Sequence, residues 1–209
     1  MKKLIILSIL LPALAFAQND LLEGVEVNAP ENFETAAFKG LKIVNFESTK
    51  MVSQKELYFV VSHRFGTIKN GIDDFFGLDQ AVTRLNFIYG ITDGINLGIS
   101  RSSFQKTYES SLKVRLLRQK EGKSPVTVVL HNTALINTAL DDVVLPGLEF
   151  KHRVGYAVSA LVSRKLNQNL SLQLTPTFFH DNLVSIAAQD NSQYALGLGG
   201  RYKLTKRWS

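Results

Sequence analysis

The chain has 209 residues, a formal net charge of +6 and no cysteine. The missing cysteines exclude disulfides, thiolate nucleophiles, Cys-based metal sites and C-x-x-C-H haem attachment. The positive balance is too modest to mark a nucleic-acid-binding protein, and no low-complexity tract or repeat of solenoid or propeller length is present.

Lys2 and Lys3, the apolar run over residues 4–11 and the small-x-small triplet Ala15-Phe16-Ala17 predict a cleavable signal peptide over residues 1–17. The apolar run falls short of the ~20 residues a membrane-crossing helix requires. Residues 18–40 are polar and irregular, with Glu23, Glu26, Pro30, Glu31 and Glu34, and read as a flexible N-terminal segment.

Residues 41–209 read as one β-barrel domain. Strand candidates follow one another at 41–49, 56–65, 81–91, 95–103, 109–118, 125–136, 151–165, 170–179 and 193–204. Each is near the roughly 9–11 residues with which a tilted strand crosses a bilayer. Short turns at 92–94, 119–124, 167–169 and 205–209 alternate with longer connections at 66–80, 104–108, 137–150 and 180–192; a short helix is expected at 73–78. Outer-membrane barrels show this asymmetry, with short turns on the periplasmic side and long loops outside. The pattern would start the first strand on the outer side. Either a further strand lies within 34–40, or the 41–49 segment does not span.

The candidate strands have one apolar face. Val154, Tyr156, Val158, Ala160 and Val162 oppose Gly155, Ala157, Ser159 and Ser163; Leu170, Leu172, Leu174 and Phe178 oppose Ser171, Gln173, Thr175 and Thr177. The second face is rich in Gly, Ala and Ser instead of the Lys and Glu of a solvated surface. Tyr89, Phe178 and Tyr202 sit near strand ends, where membrane girdles lie. These features predict an all-β, antiparallel up-and-down transmembrane barrel of about nine strands after a signal peptide, placed in the cell outer membrane. An odd count and a polar C-terminal turn predict a barrel truncated at its C-terminus, because bacterial barrels have even strand numbers.

Several strings, Ser62-His63-Arg64-Phe65-Gly66, Phe76-Gly77-Leu78-Asp79-Gln80, Tyr89-Gly90-Ile91-Thr92-Asp93, Ser100-Arg101-Ser102-Ser103-Phe104 with Lys106-Thr107-Tyr108, and Leu116-Leu117-Arg118-Gln119, carry a family resemblance. By them the chain resembles the uncharacterised outer-membrane β-barrel family of Bacteroidota known as domain of unknown function 5777. The resemblance covers most of the mature chain. It implies an exported outer-membrane barrel and supplies no catalytic residues.

With the apolar faces outward, the lumen receives Arg64, Arg84, Lys113, Arg115, Arg153, Arg201, Lys203 and His131, with Glu56 a rare acid among them. Such an interior favours anionic solutes through field focusing and Arg forks. Alternatively the cations pair with loop carboxylates such as Asp73, Asp74, Asp79, Asp141 and Asp142 and fill the barrel. No H-E-x-x-H, EF-hand or G-x-S-x-G pattern occurs, so no catalytic residue, metal or cofactor is expected. The expected partners are outer-membrane lipid, the barrel-assembly machinery and a small anionic solute, with no nucleic acid. The functional expectation is a channel or binding barrel for small anionic solutes. The alternatives are a plugged structural or docking barrel for a periplasmic or surface partner, and a soluble exported β-sandwich binding protein.

Overall fold

The computed structural model describes residues 37–184 and 189–205. The signal peptide at 1–17, all of the 18–40 segment except residues 37–40, and the end of the polar C-terminal turn lie outside the described residues.

The fold is an eight-stranded antiparallel sheet in strict sequence order, with a small hairpin inside it. The hairpin is β1 (Lys42–Ile43) and β2 (Phe46–Glu47). The wall strands are β3 (Leu57–Arg64), β4 (Val82–Thr92), β5 (Ile95–Ser102), β6 (Tyr108–Leu117), β7 (Thr127–Ile136), β8 (Val154–Lys165), β9 (Leu170–Asp181) and β10 (Ser192–Tyr202). Each strand pairs with its neighbour in sequence, and β3 and β10 form the two outer edges. Local chemistry fixes the turns. Asp93-Gly94 makes the two-residue β4–β5 loop, where the Gly94 N–H donates to Thr92 Oγ1 at 3.2 Å. Asn167 Oδ1 caps the β8–β9 turn by accepting from the N–H groups of Asn169 and Leu170, both at 2.8 Å.

Burial along the wall is inverted relative to a soluble sheet. On β9 Ser171, Gln173 and Thr175 are buried while Leu172 and Leu174 are more than 40% exposed. On β5 Asn96 and Ser100 are buried while Leu97 and Ile99 are exposed. The outward face carries a ring ladder at the long-loop end, with Tyr156–Phe178 centroids 6.0 Å apart and Phe178–Tyr194 5.3 Å apart. Phe59 stacks on Phe87 further along the wall at 4.7 Å. A soluble sandwich would turn these leucines and aromatics toward one another; here they face away from the protein.

Two expectations need correction. Residues 41–49 do not form a wall strand. They turn back as the β1–β2 hairpin, so among the described residues the wall has eight strands, and the first of them, β3, starts at the short-turn end. That removes the parity conflict between the short turns and the long loops. The helix expected at 73–78 is also different: Ile68–Gln80 is a 3-10 segment broken at Gly71, Asp74, Phe75, Phe76 and Gly77. Gly77, at φ +84°, has no room for a Cβ, which would meet the backbone of Gly66. Asp74 Oδ1 accepts from its N–H at 3.0 Å.

Candidate functional site

The inner face of the sheet is polar, and near the short-turn end the chain's own residues fill it. After the β1–β2 hairpin, residues 48–53 cross the interior near the short-turn end. Each contact answers a buried polar group, as a segment enclosed by protein requires.

On β5, Asn96 clamps Val52 at two points: its Oδ1 accepts from the Val52 N–H at 2.9 Å, and its Nδ2 donates to the Val52 carbonyl at 2.9 Å. The side-chain amide thus replaces a neighbouring strand. On β9, Gln173 Oε1 accepts from the Thr49 N–H at 3.1 Å, and its Nε2 donates to the Glu47 carbonyl at 2.7 Å and to Thr175 Oγ1 at 3.0 Å. Thr49 Oγ1 lies 2.6 Å from Ser163 Oγ on β8. Met51 packs with Val129 and Leu161, a small apolar core within the polar interior.

Glu47 is the electrostatic centre. Its carboxylate is 2.6 Å from Lys42 Nζ and 3.4 Å from Lys113 Nζ on β6, and Lys113 also donates to the Lys50 carbonyl at 3.1 Å. Burial by itself would raise the Glu47 pKa, but Lys113, Lys42 and His131 outweigh it and bring the carboxyl down to about 2. A cavity of about 20 Å³, lined by Glu47, Arg84, Asn86, Lys113 and His131 among others, adjoins this cluster.

The hairpin reaches β10 through close approach to glycine. A Cβ on Gly197 would come within 2.8 Å of the Phe46 ring, and one on Gly199 within 3.2 Å of Ile43. The glycines of β10 therefore leave a trough into which these two side chains fit.

The eight basic candidates fall into distinct places. Lys113, Arg84 and His131 line the interior beside Glu47. Arg84 forms an ion pair with Glu109 and donates from Nε to Ser100 Oγ at 3.0 Å. By strand alternation Arg115 shares the inner face of β6 with Lys113. Arg201 shares the inner face of β10 with Gly197 and Gly199, and its buried Nε has no partner among the described residues. Arg64 ends β3 and lines a cavity at the long-loop end. Two are misplaced by the sequence reading. Arg153 stands before β8, in the 3-10 turn Phe150–Arg153, and donates to the Leu140 carbonyl at 2.6 Å. Lys203 lies past the end of β10, its N–H bonded to the Asn169 carbonyl at 2.8 Å.

The acids facing these cations are also different from those expected. Glu47 and Glu109 pair with them, whereas Asp74 and Asp141 accept backbone N–H groups in their own loops, and Glu56 precedes β3 and is exposed. Sequence reasoning missed Glu47, Asn96, Gln173 and Glu109. The signal was there for the two amides: they are large, hydrogen-bonding side chains on faces otherwise built of Gly, Ser and Thr.

Above the hairpin, at the long-loop end, the concave face encloses a cavity of about 700 Å³. Lys42, Val44 and Asn45 of the hairpin form part of its lining, opposite residues of β3, β4, β5, β6, β7 and β9. Among the described residues, no group of three or more His, Cys, Asp or Glu side chains is placed to hold a metal ion.

A family model described as "Membrane bound beta barrel domain" (DUF5777) matches residues 38–209. The chain matches no curated protein and no solved structure.

Proposed function

Since the chain belongs to the DUF5777 family of membrane-bound β-barrel domains, whose model spans residues 38–209, we propose that it sits in the outer membrane as a plugged, non-catalytic binding or docking barrel and not as an open channel. The secretory pattern at residues 1–17 supports the outer-membrane assignment, as does the alternation of short turns with long loops. In that orientation the short turns lie on the periplasmic side, where β3 begins. The outward leucines and aromatics meet lipid, and the assembly machinery of such barrels is the expected partner during insertion.

The observation that carries the reading is the occupied interior. Residues 47–52 are tied by hydrogen bonds or ion pairs to β5, β6, β8 and β9 at once. A segment held to four strands across the interior blocks a path along its axis. The structural part of the sequence expectation, cations that fill the barrel, is favoured over free anion flow, with Glu47 and Glu109 as their counter-charges.

Planar-bilayer recording on the refolded full chain tests this. At neutral pH the wild type is expected to show no steady open state. The combined Glu47→Gln and Asn96→Ala variant, which removes the ion pair to β6 and the clamp to β5, is expected to show stepwise openings. Steady ohmic conductance from the unmodified chain would reject the plugged reading.

A further inference from the structure

We propose that the cavity at the long-loop end binds a small zwitterion of the amino-acid class, its carboxylate held by Arg64 and its ammonium by Asp181.

Most of the charges in the cavity are already satisfied. Lys42 is bound to Glu47, and Arg84 is bound to Glu109. The Nδ1 of His63 lies 3.1 Å from Thr83 Oγ1. Two charged groups lining the cavity remain, Arg64 and Asp181, and neither side chain makes a hydrogen bond or ion pair among the described residues. They have opposite signs and stand on different walls. Arg64 ends β3, on the face it shares with Ser62, the register partner of Arg84. Asp181 ends β9 opposite Gly155. The missing Cβ of Gly155 is what lets the carboxylate lean over the strand, because a Cβ there would collide with Asp181 Oδ1.

The ligand class follows from this pair. An anion alone would satisfy Arg64 and be repelled by Asp181; a cation alone would do the reverse. A ligand carrying both charges satisfies both, and a guanidinium fork is suited to a carboxylate. The volume suits a small molecule, since ligand pockets run from roughly 300 to 1,000 Å³. The hairpin closes the inner side of the cavity, so a ligand would enter and leave by the loops. The site is thus a receptor pocket and not a stage in a pore. This point rests on the plugged reading. The binding measurement below is made without a transmembrane gradient, so a barrel that conducts and still binds would reject the plug alone.

The test is equilibrium dialysis of the refolded full chain in nanodiscs against each of the common L-amino acids, with acetate and methylammonium as single-charge probes. At least one amino acid is expected to bind at least about tenfold more tightly than either single-charge probe. Arg64→Gln and Asp181→Asn are each expected to weaken that binding by roughly tenfold or more, as loss of one partner from a charged pair does. Heat-modifiable gel mobility would verify that each variant is folded. The proposal is overturned if no amino acid binds at about 10 mM, if acetate binds as well as the best amino acid, or if both folded variants bind like wild type. Should a variant fail to fold, the wild-type contrast between zwitterion and single-charge probes decides the question.

Discussion

The carboxylate of Glu47, on a hairpin enclosed by the sheet, stands 3.4 Å from the ammonium of Lys113 on the wall. This contact joins two parts of the chain that are far apart in sequence, and with Lys42 and His131 it lowers the Glu47 pKa from 4.5 to about 2 against the opposing effect of burial. A carboxyl depressed in the folded state contributes stability that is fully present above its unfolded value. That contribution is lost as pH falls through the folded value. The shift corresponds to about 3 kcal/mol. The hairpin is therefore expected to stay docked from neutral pH down to near 4.5 and to loosen between 4.5 and 2. Hydrogen exchange at the Val52 amide, corrected for intrinsic rate, checks this. In Glu47→Gln the amide should be less protected at neutral pH and show little further loss on acidification. An unchanged pH profile in that variant would remove Glu47 as the group responsible.

Asn96 holds the inserted segment by a different means. Its two hydrogen bonds to Val52 satisfy a backbone N–H and a carbonyl on a residue that is only 1% exposed. Asn96→Ala leaves both groups buried and unpaired, at about 1–3 kcal/mol each. The expected result is a loss of Val52 amide protection with the β8–β9 ladder unaffected. Asn96→Asp keeps the acceptor and loses the donor, and should fall between the two. Equal protection in wild type and Asn96→Ala would mean that the clamp contributes nothing.

Gly197 and Phe46 form a complementary pair. Gly197→Ala places a Cβ 2.8 Å from the Phe46 ring, a clash expected to cost about 1–3 kcal/mol. Phe46→Ala empties the space, so the double variant should be more stable than the sum of the single effects predicts. A double-mutant cycle in urea on the refolded protein measures that coupling. Additive effects would show that the ring does not seat against β10.

The wall was legible in the sequence because the bilayer and the barrel interior impose opposite demands on alternate residues. Leu172 and Leu174 stand beside Gln173 and Thr175 in the order that the structure uses, and the register follows from short turns such as Asp93-Gly94. The hairpin was not legible. Residues 41–49 open with Leu41 and Ile43 in alternation, as a wall strand would, although Phe46 falls on the opposite parity, and local alternation over so few residues cannot distinguish a strand in the wall from one inside it. The partners of the lumen cations were hidden for the same reason. With 41–49 assigned to the wall, Glu47 had no path to Lys113. Arg153 and Lys203 were misplaced by the ordinary uncertainty of strand ends, each lying just outside the strand to which periodicity extended it.

The outward face supplies the most direct test of the membrane assignment. Leu174 lies midway along β9, is 42% exposed and projects away from the polar interior occupied by Gln173 and Thr175. In water an arginine at such a position would be harmless or would aid solubility. In hydrocarbon it carries a penalty of about 2–4 kcal/mol near the bilayer midplane, falling toward zero at the interfaces. Leu174→Arg is therefore expected to destabilise the protein refolded in phospholipid vesicles by an amount in that range. Tyr202→Arg, at the end of β10 and so expected near the interface, should cost much less. Urea titration of vesicle-embedded protein reads both. A neutral effect for Leu174→Arg, or equal effects at the two positions, would mean that the leucine stripe does not contact lipid.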